Sequence, residues 1–133
     1  MTHKFACRVY YEDTDLAGIV YYANYLKFIE RARTEFVRAL GIDQMALKND
    51  RGLVFAVRRV EADYLSAAKF ADDLVVTTAV RSVTAARLNL VQTVKRHDEI
   101  LFDSRVTLVC LHESGKPARI PAEIRTQMHQ MSV

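Results

Sequence analysis

The sequence is short of sulfur, of backbone punctuation and of long apolar runs, and each shortage removes a class of protein. Its two cysteines, Cys7 and Cys110, stand near opposite ends of the 133 residues. They are too few for a secreted disulfide framework and fit no metal-ligand spacing. A reducing cytoplasm is the expected compartment, with each cysteine a small hydrophobe in a strand-like stretch rather than a nucleophile. Apolar runs are brief, such as Leu74 to Val76, and Met1-Thr2-His3-Lys4 leads straight into a mixed segment. Neither a membrane span nor a signal peptide is expected. Charge is not concentrated either: the net charge is +3, with lysines and arginines scattered along the chain. That disfavours bulk nucleic-acid binding but leaves arginines to meet a small polyanionic ligand. No internal repeat or low-complexity segment interrupts the chain.

What is present suits one folded unit. Half of the residues are hydrophobic and 26% are charged, so a single domain spanning residues 1–133 is expected. Phe5 to Tyr11 reads as a strand running into an acidic loop. From Tyr25, the apolar residues Tyr25, Phe28, Ile29, Ala32, Phe36 and Leu40 fall within an arc about 120° wide at helical spacing. This predicts one long amphipathic helix of roughly 26 Å, with Asn24 as its N-terminal cap and Gly41 as its left-handed stop. Beyond it the period changes to two. Leu74, Val76, Thr78 and Val80 form one buried face, and Ile100, Phe102, Val106, Leu108 and Cys110 another. Leu53 to Leu65 and Arg87 to Arg96 alternate less cleanly, with Arg58 and Gln92 interrupting an apolar parity. Gly115, Pro117 and Pro121 mark a turn, and Ala122 to Gln130 reads as a weak helix or a tail. Strands following one another without helices between them pair antiparallel. The expected class is therefore α+β, an antiparallel sheet of five or more strands wrapped around one long central helix.

The chemistry is concentrated in Tyr10-Tyr11-Glu12-Asp13-Thr14-Asp15, followed by Gly18-Ile19-Val20-Tyr21-Tyr22, Asn24-Tyr25 and Glu30-Arg31-Ala32-Arg33. A carboxylate here can serve as a base on water or attack directly, and a helix start offers unpaired amides to a developing oxyanion. Acyl transfer needs both. Taken alone, Asp15 reads first as a turn or capping residue. Asp13, Asp15 and Gly18 match three positions of a calcium loop, but Ala17 and Asn24 stand where oxygen ligands are required and a strand replaces the first helix, so no metal is expected.

These motifs resemble the 4-hydroxybenzoyl-CoA thioesterase family, in particular its branch of Tol-Pal-associated acyl-CoA thioesterases. The resemblance extends over nearly the whole chain, and Tyr10 to Arg33 carries the diagnostic part. It implies the hotdog fold, hydrolysis of an acyl-CoA thioester without a cofactor, and Asp15 as the nucleophile or the base that activates water. It places Tyr22 where a backbone N–H polarises the thioester carbonyl. Many members of the Tol-Pal branch have histidine at this position, whereas tyrosine is typical of the hydroxybenzoyl branch, which leaves the acyl group open. Substrate contacts are expected from Gly18, Tyr21 and Tyr25. For the nucleotide, the resemblance points to the turn between the third and fourth strands, where Thr84-Ala85-Ala86 is uncharged and Arg87 is the nearest cation. Glu30 and Arg33 flank the apolar stripe and are read as ion-pairing at a subunit or sheet contact. A homodimer or homotetramer is implied, with acyl carrier protein as an alternative carrier or partner.

Two other classes share this fold. A hydratase or dehydratase would be expected to set a histidine beside its acid, yet His3, His97, His112 and His129 all lie outside the loop and central helix. A non-catalytic binding module would have no need of an acid at Asp15.

Overall fold

The apolar stripe from Tyr25 forms the helix α1 (Asn24–Ala39), burying Tyr25, Phe28, Ile29, Ala32 and Phe36. Large side chains buried in this way each contribute about 1.5–3 kcal/mol. In the computed structural model, which describes residues 1–132, the helix ends as its sequence predicts. Gly41 adopts φ +79°, its N–H donates to the Arg38 carbonyl at 2.9 Å, and the Ile42 N–H donates to the Val37 carbonyl at 3.3 Å. That pair of bonds satisfies two carbonyls the helix leaves open. The helix start differs from expectation. Asn24 is the first helical residue rather than the cap, Ala23 precedes it without a side-chain cap, and the Asn24 amide donates to the Asp13 carbonyl at 2.9 Å. Its side chain ties the helix to the preceding loop instead of closing the helix's own first turn.

Five strands, β1 (Thr2–Arg8), β2 (Leu53–Tyr64), β3 (Asp73–Val83), β4 (Arg87–Arg96) and β5 (Glu99–His112), form one sheet in the order β1-β3-β4-β5-β2. Every neighbouring pair is antiparallel. The first strand stops at Arg8, short of the predicted Tyr11, because Tyr11–Asp13 turn into a 3-10 segment. Ile100 is the other departure. It is exposed and Leu101 is buried instead, while Phe102 is buried as expected, because the β4–β5 register shifts between Val94 and Lys95. Two shorter helices complete the chain. The first, α2 (Gln44–Arg51), is held by the Asp43 carboxylate accepting from Ala46 N–H and by Gly52 at φ +67°. The second, α3 (Ala122–Met131), buries Ile124 and Met128.

Both interruptions of parity have physical causes. Arg58 falls where the β2–β5 register shifts between Val57 and Arg59, so it is a bulge residue and the alternation resumes beyond it. Gln92 is fully buried. Its Nε2 donates to the Ile29 carbonyl and to Thr78 Oγ1, each at 2.9 Å, and its Oε1 accepts from Arg33 Nη1 at 3.0 Å.

The helix packs mainly on β1, β3 and β4. Val57 and Val60 of β2 pair with the buried Leu108 and Val106 and so share their face, yet they stay 47% and 38% exposed. The edge strand β2 thus presents both an open backbone edge and an uncovered apolar face.

Candidate active site

The loop between β1 and α1 separates its two aspartates by role. Asp13 is buried; its Oδ2 accepts from the Tyr10 N–H at 2.8 Å, and its carbonyl accepts from Tyr21 N–H at 2.9 Å and from Asn24. It is the structural staple of the loop. Asp15 is exposed. Its Oδ1 accepts from Ala17 N–H at 2.9 Å, its own N–H donates to the Ile19 carbonyl at 2.9 Å, and its carbonyl accepts from Gly18 N–H at 3.0 Å. These bonds fix the carboxylate with one oxygen engaged, while Oδ2 makes no hydrogen bond among the described residues. Gly18 sits at φ +79°, and a side chain there would meet no heavy atom within 4 Å. Its left-handed backbone, not a close approach, is what calls for glycine.

At the helix start the peptide groups on either side of Tyr22 are held through their carbonyls. The Tyr21 carbonyl accepts from Asn24 N–H at 2.8 Å, and the Tyr22 carbonyl accepts from the Tyr64 hydroxyl at 3.0 Å. Among the described residues, the N–H groups of Tyr22 and Ala23 donate to no protein acceptor. Two unspent amides at the positive end of a 16-residue helix can receive a developing negative charge.

Beside them lies a cavity of about 300 Å³ lined by Ile19, Val20, Tyr22, Tyr25, Tyr64 and the 65–67 segment. The Tyr25 ring lies flat on Phe102 with centroids 5.1 Å apart, and its hydroxyl accepts from the Ala68 N–H at 3.0 Å. Burial raises its phenol above the ordinary tyrosine range. Arg96 secures the opposite wall, donating to the Ala67 carbonyl at 3.1 Å and to Asp72 Oδ2 at 2.8 Å. Tyr21 stands exposed at the rim with its ring 4.9 Å from that of Tyr22. Its phenol is raised above the ordinary tyrosine range chiefly by the neighbouring Tyr22, with a smaller contribution from the Asp15 carboxylate. A larger cleft of about 510 Å³, lined by Arg59, Arg81 and Arg105 among others, is built on the sheet rather than at the helix start.

Of the predicted site residues, Tyr22 and Tyr25 line the cavity, the Tyr21 ring lies beside that of Tyr22, and Asp15 and Gly18 lie in the preceding loop, outside the cavity lining. The fold does not bring Arg87 there. Arg87 pairs with Val109, whereas Val94, seven residues along β4, pairs with Phe102 beside the cavity, a separation of about 23 Å along the strand. Within one chain, Arg87 is not part of this site. Glu30 and Arg33 do not pair with each other: Glu30 accepts from Thr34 at 3.1 Å, and Arg33 is held by Gln92. No histidine lines the cavity. The residue that sequence reasoning missed is Tyr64. The signal was the inward parity Val60, Ala62, Tyr64, which runs to the end of β2 and delivers its last side chain to the helix start.

The chain matches the thioesterase-like superfamily over residues 9–128 and belongs to that family. It is 40% identical over 129 residues to the acyl-CoA thioesterase YbgC of Haemophilus influenzae, covering 96% of this chain and 95% of that protein. It is 36% identical to the acyl-CoA thioester hydrolase YbgC of Escherichia coli O157:H7, covering 96% of each. A probable thioesterase from Bartonella henselae superimposes with a TM-score of 0.86 at 34% identity, over 91% of this chain and all of that one. Slr0204 of Synechocystis, a 1,4-dihydroxy-2-naphthoyl-CoA thioesterase, shares the fold with a TM-score of 0.89 at 19% identity, over 98% of each chain. The architecture is α+β and is the hotdog fold, as the sequence predicted.

Proposed function

We propose that this chain hydrolyses the thioester of a small acyl-CoA to the free acid and CoA, at the Asp15–Tyr22 site. The observation that carries the reading is the pair of unspent helix-start amides beside an aromatic cavity, preceded in the same loop by an exposed carboxylate with one oxygen left unbonded. As a base, Asp15 removes a proton from the water that attacks the carbonyl carbon. As a nucleophile, it forms an acyl anhydride that water then opens. In either route the carbonyl oxygen becomes an oxyanion, received by the Tyr22 and Ala23 amides, and collapse expels the thiolate, which leaves as the protonated thiol. The names of the relatives, acyl-CoA thioesterase and thioester hydrolase, support this chemistry. The absence of histidine from the cavity lining favours it over hydration.

A panel of short aliphatic and aromatic acyl-CoAs, with the matching acyl carrier protein conjugates, tests the reading by release of free thiol. Turnover is expected on at least one CoA thioester. Activity confined to the carrier-protein conjugates would move the substrate to that carrier, and no hydrolysis of any thioester would refute the assignment.

The assembly belongs to the same proposal. An open β2 edge and the uncovered Val57 and Val60 on the same strand are features that a second copy would cover. Light scattering at micromolar concentration is expected to show a homodimer or homotetramer, and a fully active monomer would contradict this. Cys7 and Cys110 are both free thiols, in keeping with a reducing cytoplasm. Burial pushes Cys7 up to about 11, which leaves it a poor nucleophile at neutral pH. The resemblance to the Tol-Pal-associated branch leaves room for protein partners besides the substrate.

A further inference from the structure

We propose that Tyr64 is a positioning residue for the oxyanion donors: its hydroxyl sets the orientation of the Tyr22–Ala23 peptide at the start of α1. The inference rests on the acyl-transfer reading above and adds a residue to it. Peptide groups are planar, with C=O and N–H opposed across the bond. A hydrogen bond to the Tyr22 carbonyl therefore fixes the direction of the Ala23 N–H, and by polarising the group it strengthens that N–H as a donor. The bond is 3.0 Å long and joins residues 42 positions apart, so local helix geometry does not impose it. The peptide before Tyr22 is already held by Asn24. Tyr64 supplies the matching restraint on the peptide after it.

Three rings hold the phenol in place. Its centroid lies 5.0 Å from Phe102, 5.6 Å from Tyr25 and 6.2 Å from Tyr22, and each ring meets it edge-on at 70–79°. The register opposes Tyr64 to Phe102 directly, so the sheet sets its reach toward the helix. Burial first, then the neighbouring Tyr22 and Tyr25, raise its phenol above the ordinary range, which keeps it a donor across neutral and mildly alkaline pH. The ring is nevertheless 48% exposed at the end of an edge strand, a place where packing alone asks little of a tyrosine hydroxyl. The same ring forms a wall of the cavity. Tyr64 thus couples the closing of the acyl pocket to the geometry of the donors.

Tyr64→Phe separates the two contributions, because it keeps the ring and removes only the hydroxyl. On an acyl-CoA that the wild type cleaves, kcat is expected to fall about 10-fold with KM changed less than about 2-fold. That is a smaller loss than deletion of a direct oxyanion donor produces, as befits an effect exerted through another group. In ¹⁵N-labelled protein the Ala23 amide proton should move upfield and exchange faster with solvent, an outcome that loss of packing would not single out. Tyr64→Leu, which removes the wall as well, should raise KM in addition. Unchanged kcat and an unchanged Ala23 amide in Tyr64→Phe would overturn the proposal, as would a rise in KM with kcat intact. Asp15→Asn, measured in the same assay, tells the two failures apart. If it abolishes turnover while Tyr64→Phe is silent, only the role of Tyr64 falls. If it leaves turnover intact, the underlying site reading falls.

Discussion

Replacing Asp15 with asparagine is expected to lower acyl-CoA hydrolysis by about 10²- to 10⁴-fold while the protein stays folded. The two halves of this expectation have separate grounds. Asparagine keeps the size of the side chain and an Oδ1 that can accept from Ala17 N–H, the one hydrogen bond the carboxylate makes among the described residues. The backbone bonds to Ile19 and Gly18 do not involve the side chain, and the buried staple of the loop is Asp13 rather than Asp15. The substitution therefore removes basicity and nucleophilicity, and little else. Steady-state rates on one substrate, with thermal melts of both proteins, decide the matter. Near wild-type turnover in a folded variant would mean that another residue carries the chemistry. A large fall in melting temperature would restore the turn role as the main function of Asp15.

The largest expected effect on stability comes from Gln92→Leu, which should destabilise the fold by about 2–4 kcal/mol. Leucine matches the volume and would suit the apolar parity of β4. It would, however, remove the second bond to the Ile29 carbonyl, already an acceptor within α1, and leave without their partner the Thr78 hydroxyl, to which Gln92 donates, and the Arg33 guanidinium, from which it accepts. Arg33 is the most demanding of these. Desolvation already lowers its pKa, offset only in part by the field of Glu30, and Gln92 is the hydrogen-bond acceptor holding it. Since Ile29 lies one turn and a half into α1 and Thr78 on β3, this amide joins the helix to the sheet beneath the site. Urea denaturation of both proteins measures the difference. A Leu variant as stable as the wild type would show that the buried network is dispensable.

Periodicity carried most of the architecture. The stripe from Tyr25 to Leu40 and the change to alternation beyond it are consequences of side-chain geometry, and both survive in the fold with only small shifts of boundary. Errors fell where a local pattern was outweighed by longer-range bonding. Asn24 looked like a cap, but the Asp13 carbonyl, eleven residues earlier, takes its amide. Ile100 fitted the alternation until a register shift exchanged it for Leu101. The α2 helix was missed because its eight residues bury only Leu47, too little for an apolar stripe, although Asp43 and Gly52 bracket it as cap and stop. In the site, Asp15 and Tyr22 were legible through their motif and the helix start that follows it. Tyr64 was not, since its part depends on strand pairing that brings the end of β2 to a helix start 42 residues away. Arg87 was read as a nucleotide contact from its place beside the β3–β4 turn, and strand pairing sets that turn about 23 Å along β4 from the cavity.

Acyl transfer is assigned here to Asp15 and the amides at the start of α1. Titration of ¹⁵N-labelled protein with a non-hydrolysable ketone analogue of a cleaved acyl-CoA, in which a methylene replaces the thioester sulfur, tests it most directly. The amides of Tyr22 and Ala23 are expected to show the largest perturbations, followed by those of Asp15, Gly18 and the 64–67 segment, with Asp15→Asn binding the analogue about as tightly as the wild type. Perturbations centred instead on the cleft lined by Arg59, Arg81 and Arg105, with the Tyr22 and Ala23 amides unmoved, would contradict it.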